Sequence, residues 1–130
     1  MNKVQRTTVK ALFQRENGEI MIVKSSLDEY WELPGGKIEF GEQPQETLRR
    51  EVKEELSINK FKIVDLLQMF SFESKDAEGN WQFIVSVFLC NLIDKKLSIS
   101  PEHKGAKWIY PKDIRNIPMR EGYYKVIEKL

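Results

Sequence analysis

The sequence predicts a single α/β or α+β domain in which helices pack on a mixed β-sheet. Strand-like segments lie on both sides of one strongly amphipathic helix, and a short hairpin loop separates two of them. The third observation is length, because 130 residues can bury one core but are too few for two domains. The chain has no internal repeat and no linker-like stretch, so residues 1–130 are expected to form one domain.

The first part of the chain is expected to contain two strands and a short extended piece. Val4 to Phe13 mixes β-branched, apolar and polar residues, and Glu19 to Lys24 is a second segment of this kind. Asn17-Gly18 between them is a strong turn signal, so the two strands are predicted to pair as a hairpin. Tyr30 to Pro34 then forms an extended piece that ends in a Gly35-Gly36 turn.

The clearest helix is predicted from about Pro44 to Leu56. Proline suits the first helical position, and Glu46 lies where a carboxylate meets the positive end of the helix dipole. Leu48, Val52 and Leu56 recur at four-residue spacing and form the stripe that packs on the core.

The second half of the chain is dominated by β-type segments. Phe61 to Phe72 and Trp81 to Leu92 are predicted to be long strands joined by a hairpin loop at residues 76–80. Lys107 to Tyr110 is predicted to be a further short strand, and Gly122 to Leu130 a terminal helix.

The balance of charge restricts the partners that the protein can attract. Its 21 basic and 20 acidic residues give a net charge of +1, so no global field favours nucleic acid polymers or anionic membranes. The longest apolar run, Phe83 to Cys90, is far too short to span a bilayer, and the N-terminus does not resemble a signal peptide. With Cys90 as its one cysteine, the chain suits a reducing compartment. We therefore expect a cytoplasmic protein that binds a small molecule at a local site, with its oligomeric state left open.

Three glutamates share one side of the predicted helix. Glu51, Glu54 and Glu55 are spaced i, i+3 and i+4, and like charges at these spacings cost roughly 0.2–0.5 kcal/mol per pair. Glu55 also lies beside the apolar stripe, where partial burial adds a desolvation cost. A divalent cation would convert this repulsion into shared attraction. Hard carboxylate oxygens favour Mg²⁺, for which Mn²⁺ can substitute, over Zn²⁺.

Neighbouring residues can complete such a site. Gly35 can bring a main-chain carbonyl close to the metal, Glu42 can add a carboxylate at the rim, and Arg50 can pair with a glutamate and fix its rotamer. The alternative is an ordinary acidic surface, on which a carboxylate such as Glu55 pairs with Arg49 or Arg50 for structural reasons.

The segment from Gly36 to Ile58 resembles the signature of the Nudix hydrolases. That signature is glycine, five residues, glutamate, seven residues, Arg-Glu, a bulky apolar residue, any residue, Glu-Glu, any residue, glycine, and a bulky apolar residue. The matching positions are Gly36, Glu42, Arg50, Glu51, Val52, Glu54, Glu55 and Ile58. Ser57 stands where the signature has glycine, and serine adopts the left-handed helix end at a cost of roughly 1 kcal/mol.

The resemblance implies an α/β/α sandwich around a mixed β-sheet and Mg²⁺-dependent hydrolysis of a diphosphate linkage in a nucleoside diphosphate derivative. Carried over to this chain, it implies that Glu51, Glu54, Glu55 and the Gly35 carbonyl bind the metal. It implies a catalytic set of Glu51, Glu54, Arg50 and Glu102, in which Arg50 orients a glutamate. Glu102 precedes a late strand and would be a ligand or a general base, and a solvated loop carboxylate is the alternative.

Within the family, the short chain and its Gly-Gly-Lys-Ile-Glu run favour a MutT-like nucleoside triphosphate pyrophosphohydrolase that releases pyrophosphate. The alternatives are a pyrophosphatase of dinucleoside polyphosphates, ADP-ribose or nucleotide sugars, or a non-catalytic nucleotide-binding module. The proline or tyrosine that marks some of those pyrophosphatases after the signature is missing, because residues 73–76 read Glu-Ser-Lys-Asp. A non-catalytic module would typically have lost glutamates that this chain keeps. Arg120 stands where some MutT-like proteins carry a base-reading asparagine, so neither the preferred base nor the use of oxidised purines is assigned.

Overall fold

The computed structural model describes residues 3–25, 28–76, 79–93 and 105–130. Its elements follow one another as β1 (Lys3–Phe13), β2 (Ile20–Lys24), β3 (Trp31–Glu32), β4 (Gly35–Lys37), α1 (Pro44–Leu56), β5 (Phe61–Asp76), β6 (Gly79–Leu92), β7 (Ala106–Ile109), a 3-10 helix (Pro111–Asn116) and α2 (Glu121–Ile127). Neither α-helix of these residues has the length and apolar content that crossing a bilayer requires.

The strands form two sheets. The larger has the order β4-β1-β6-β5, in which β1 and β6 run parallel while the other neighbours run antiparallel, so the predicted mixed sheet is confirmed. The smaller has the order β3-β2-β7 and is antiparallel.

Both faces of β1 are covered, and this places the core in two layers. Residues from Thr8 to Phe13 are all buried, as expected of a strand packed on both sides. Val9 and Ala11 belong to a cluster with Leu48 and Val52 of α1, whereas Leu12 belongs to a second cluster that includes the apolar side chains of α2. The arrangement is the α/β/α sandwich that the sequence resemblance implied.

Two predicted local features are wrong. β1 and β2 do not form a hairpin: one isolated bridge, Gln14 with Ile20, joins the segments before they enter different sheets. Gly35-Gly36 is not a turn but part of β4, which pairs antiparallel with β1. In both cases pairing with a distant strand overrides a local glycine or turn signal, which carries no information about remote partners.

Helix α1 and the hairpin after it are as predicted. The helix occupies Pro44–Leu56, and the main-chain N–H of Gln43 donates to Glu46 Oε1 at 3.3 Å just before the first turn. Ser57 ends the helix with φ 57° and ψ 26°, the left-handed conformation expected at that position. β5 and β6 pair from Phe61 opposite Leu92 to Asp76 opposite Gly79, with register shifts at Ile63/Asp65 and Leu66/Gln68, so both strands extend beyond the bounds predicted for them.

Candidate active site

Arg50 connects the carboxylates of Glu42, Glu51 and Glu54, which lie in α1 or just before it. Its Nε and Nη2 donate to the two carboxylate oxygens of Glu42 at 2.9 Å each, and its Nη1 donates to Glu51 Oε1 at 2.8 Å. Nη1 also lies 3.7 Å from Glu54 Oε2. A two-pronged contact of this kind fixes the plane of the guanidinium, and with it the position of the Glu51 carboxylate.

Glu42 takes part in this hydrogen-bond network, so its carboxylate is not left free at the rim of the site. Besides Arg50, it accepts hydrogen bonds from the Thr47 hydroxyl and from the main-chain N–H of Glu39, both at 2.9 Å and both to Oε1. The hydrogen bonds from Arg50, followed by that of the Glu39 N–H, lower the pKa of Glu42 to about 2. Glu42 therefore anchors Arg50.

The carboxylate of Glu51 lies against Gly36 of β4. A Cβ at position 36 would be 2.3 Å from Glu51 Cδ and 2.6 Å from each carboxylate oxygen, so only glycine leaves room for this rotamer. The Glu51 side chain is 19% exposed, and it lines the cleft between α1 and β4.

Gly35 serves the neighbouring carboxylate in a different way. Its φ of +147° belongs to glycine, and a Cβ there would lie 2.0 Å from the main-chain oxygen of Val9 on β1. The Gly35 N–H donates to Glu55 Oε1 over 3.4 Å. Because Gly35 has no side chain, its main chain can pair with β1 and still donate to Glu55.

The pKa of Glu55 is raised, in contrast to that of Glu42. Desolvation by burial raises its pKa to about 7, and the opposing attraction of the Lys10 charge does not offset this. No arginine of the described residues pairs with it, since Arg50 contacts the other carboxylates and Arg49 donates to the main-chain oxygen of Phe61. The alternative of a structural Glu55–arginine pair is therefore wrong.

The remaining predicted site residues are Glu54 and Glu102. Glu54 is 61% exposed and stands outside the cleft that Glu51 and Glu55 line. Among the residues that the structure describes, no three acidic side chains converge into a ready-made cation site. Metal binding by Gly35, Glu51, Glu54 and Glu55 stays a prediction. Glu102 lies outside the described residues.

The cleft is lined by both charged and aromatic side chains. Its volume is about 270 Å³, and its lining includes Glu51, Glu55, Phe72, Phe83 and Tyr123. The rings of Phe72 and Phe83 stack with centroids 5.2 Å apart. Aromatic faces beside charged groups suit a ligand with one planar apolar part and one anionic part.

The carboxylates that line the cleft fit a divalent cation. Their donors are hard oxygens, and Gly36 has no side chain at the point where the Glu51 carboxylate lies. The desolvation that raises the pKa of Glu55 to about 7 disfavours its ionised form, and a nearby cation would favour that form.

The cleft also contains two polar residues, Lys10 and Glu32, that the sequence patterns did not predict. Lys10 of β1 is 5% exposed, and its Nζ lies 3.5 Å from Glu32 Oε1. A lysine between Val9 and Ala11 suggests a solvated strand face, and only the sheet order shows that both faces are covered. Lys24, at the end of β2, is exposed and donates to the main-chain oxygen of Glu29 at 2.8 Å.

Similarity to known proteins agrees with this geometry. The model of the NUDIX domain family matches residues 4–130. Nucleoside triphosphatase NudI of Escherichia fergusonii is 29% identical over 138 aligned positions, which cover 95% of this chain and 94% of that protein. The solved MutT protein of Methanosarcina mazei Go1 superposes with a TM-score of 0.76 at 25% identity, covering 99% of this chain and 94% of that one. The E. coli dihydroneopterin triphosphate pyrophosphohydrolase has a TM-score of 0.77 at 20% identity, over 95% and 93% of the two chains, and shows the same fold. With a family match over residues 4–130 and two glutamates of the signature, Glu51 and Glu55, lining one cleft, the chain belongs to the Nudix family of hydrolases.

Proposed function

We propose that this protein is a Mg²⁺-dependent nucleoside triphosphate pyrophosphohydrolase, which converts its substrate to a nucleoside monophosphate and pyrophosphate. The observation that carries the proposal is Glu55, a half-buried carboxyl of the cleft whose pKa desolvation raises to about 7 and which has no arginine partner among the described residues. A carboxyl kept at such a cost is typical of a functional site. The substrate class is supported by the similarity to nucleoside triphosphatase NudI along almost the whole chain.

Glu51, Glu54, Glu55 and the Gly35 carbonyl would hold the metal. When bound, a divalent ion offsets the charge of the phosphate oxygens and favours deprotonation of the attacking water. Glu54 is exposed beside Arg50, so it has room to turn toward the other two carboxylates. Because all of these ligands are hard oxygen donors, the site favours Mg²⁺, which Mn²⁺ can replace.

The chain's own residues position the reactants. Arg50, anchored by Glu42, holds the Glu51 carboxylate against Gly36. Glu102 remains our candidate for accepting the proton of the attacking water. The water oxygen bonds to one phosphorus of the α–β linkage while the bond from that phosphorus to the bridging oxygen breaks, which gives the monophosphate and pyrophosphate. The aromatic side chains of the cleft, Phe72 and Phe83, are suited to the nucleoside.

The test is a panel of substrates with products identified by chromatography. Nucleoside triphosphates should be hydrolysed faster than ADP-ribose, dinucleoside polyphosphates or nucleotide sugars, and pyrophosphate should be the second product. Activity should need millimolar Mg²⁺ or Mn²⁺, disappear in EDTA and return when metal is added back. Glu54→Gln should lower the rate by at least about 100-fold, whereas Glu73→Gln, at an exposed carboxylate of β5, should leave it unchanged.

Each other result would point elsewhere. A clear preference for ADP-ribose or a dinucleoside polyphosphate would assign the alternative substrate class. Undiminished turnover in EDTA would contradict the metal mechanism. Tight nucleotide binding without any hydrolysis would indicate a non-catalytic module.

A further inference from the structure

Lys10 is a buried cation in the wall of the cleft. It lies in the middle of β1, paired with Gly35 of β4 on one side and with Val87 of β6 on the other. Because side chains alternate along a strand, Lys10 lies on the opposite face of β1 from Val9 and Ala11, which pack under α1. Lysine is almost never this deeply buried unless its charge is compensated.

The compensation within the protein is weak. Glu32 is the one acid of the described residues within 4 Å of Lys10 Nζ, and their 3.5 Å separation exceeds the usual length of a hydrogen bond. An ammonium group carries three donors, so most of its hydrogen-bonding capacity is left for other partners. The charge of Lys10 also acts on Glu55, whose pKa nevertheless stays raised.

The cleft that Lys10 lines is otherwise unfavourable for a phosphate chain. Its charged lining consists of four glutamates and two lysines: Glu32, Glu39, Glu51, Glu55, Lys10 and Lys37. A triphosphate brings several further negative charges into this small volume. A divalent ion at the glutamates of α1 would offset part of this negative charge, and a fixed cation on β1 adds further attraction for the phosphate chain.

We propose that Lys10 binds an oxygen of the substrate's phosphate chain through its Nζ and thereby sets the affinity for phosphorylated ligands. The inference rests on the proposed function, because it takes a nucleotide to be the occupant of the cleft. The competing role is that of an internal counter-ion, which would compensate Glu32 and Glu55 without touching the substrate.

The experiment compares Lys10→Met, Lys10→Arg and a control, Lys62→Met, which removes the same charge at an exposed position of β5. The ligands are the α,β-methylene analogue of the best triphosphate substrate, the corresponding monophosphate and the corresponding nucleoside, each titrated with Mg²⁺ present. Lys10→Met should weaken binding of the triphosphate analogue by about 10- to 100-fold and leave nucleoside binding unchanged. Lys10→Arg should recover part of the loss, and Lys62→Met should bind all three ligands like the wild type.

Two further measurements separate substrate contact from structural compensation. KM for the triphosphate should rise in Lys10→Met while kcat changes much less, because the contact exists before and during the reaction. The gain in melting temperature on adding Mg²⁺ alone should be as large as in the wild type, because the metal site is intact. If Lys10→Met does not fold, Lys10→Gln, which also removes the charge, provides the same readouts.

Wild-type affinity for the triphosphate analogue in Lys10→Met, with a lowered melting temperature, would establish the counter-ion role and overturn the proposal. An equal loss for nucleoside and triphosphate would also overturn it, since the contact would then be with the base or the sugar. If the wild type itself binds none of the nucleotides, the proposed function fails and this inference with it. If the wild type binds nucleotides and Lys10→Met binds them equally well, only the proposed role of Lys10 is ruled out.

Discussion

Two adjacent glycines solve two different packing problems at the site. Gly36 leaves room for the flexible end of the Glu51 side chain, whereas Gly35 leaves room for the main-chain oxygen of Val9. A carboxylate can move aside, but a carbonyl in a paired strand cannot move without opening the sheet. Replacing each glycine with alanine therefore tests activity at position 36 and stability at position 35.

Gly36→Ala should reduce activity by about 100-fold or more while the free energy of unfolding changes little, because the new methyl group displaces the Glu51 carboxylate. Gly35→Ala should lower the free energy of unfolding by roughly 2–4 kcal/mol, because β4 must separate from β1 at this point. Urea unfolding and steady-state kinetics on both variants check the pair. A fully active Gly36→Ala protein would show that Glu51 is not held where the reaction needs it.

At the scale of elements, helix α1 depends on its ends. Pro44 fits its first turn, and at the other end the N–H of Ser57 donates to the main-chain oxygen of Lys53 at 2.9 Å. Ser57 is the one non-glycine residue of the described chain with a positive φ. That conformation is strained for serine, and glycine adopts it freely.

Ser57→Gly should therefore raise the free energy of unfolding, by about 1 kcal/mol at most, without changing the rate of hydrolysis. Thermal and urea unfolding measure the first quantity, and the substrate assay the second. Ser71→Gly is the control: Ser71 is an exposed serine of β5, where glycine should destabilise the strand. Equal effects of the two substitutions would show that the helix end is not the source of the gain.

The elements differ in how well the sequence predicts them, and the reason is the range of the signals. Helix α1 is predicted to the residue because its proline, its apolar spacing and its end are all local features. The β5–β6 hairpin joins neighbours in sequence and is predicted as well. The β1–β2 hairpin fails because Asn17-Gly18 specifies a reversal of the chain but does not specify which strand lies beside β1 after it.

Across the whole molecule, the stability of the metal-free protein is linked to the charge of its cleft. The pKa of Glu55 is near 7 in the folded protein, against an ordinary value of 4.5. The unfolded chain therefore releases this proton at a lower pH than the folded protein does. As pH rises from about 4.5 to 7, this group reduces the free energy of unfolding, by up to about 3 kcal/mol, and the reduction persists at higher pH.

Glu55→Gln should remove this dependence. In EDTA, the variant should equal the wild type near pH 4.5 and become more stable than it above pH 7, as followed by urea unfolding across that range. Addition of Mg²⁺ should raise the melting temperature of the wild type and have much less effect on the variant, because the metal binds only the folded state. Activity should fall by several orders of magnitude. Parallel stability curves for the two proteins in EDTA would contradict the burial of a titrating Glu55.

The site is predictable from the sequence only where its residues share one segment. Glu51, Arg50 and Gly36 lie within one signature, and their mutual contacts agree with the pairing expected from it. Lys10 and Glu32 reach the same cleft from two different sheets. No periodicity marks them, because their proximity is a property of the assembled sheets.

The parallel pairing of β1 with β6 also bears on how the chain is made. Gln5 and Gln82, whose side chains are hydrogen-bonded across this pair, are 77 positions apart in sequence. During synthesis β1 must therefore wait, without its main partner, until β6 has left the ribosome. Lys10 belongs to that waiting strand. A nascent chain that already carries every residue of the signature thus still lacks Phe72, Phe83 and Tyr123 of the cleft, and hydrolysis cannot begin before these residues have been translated.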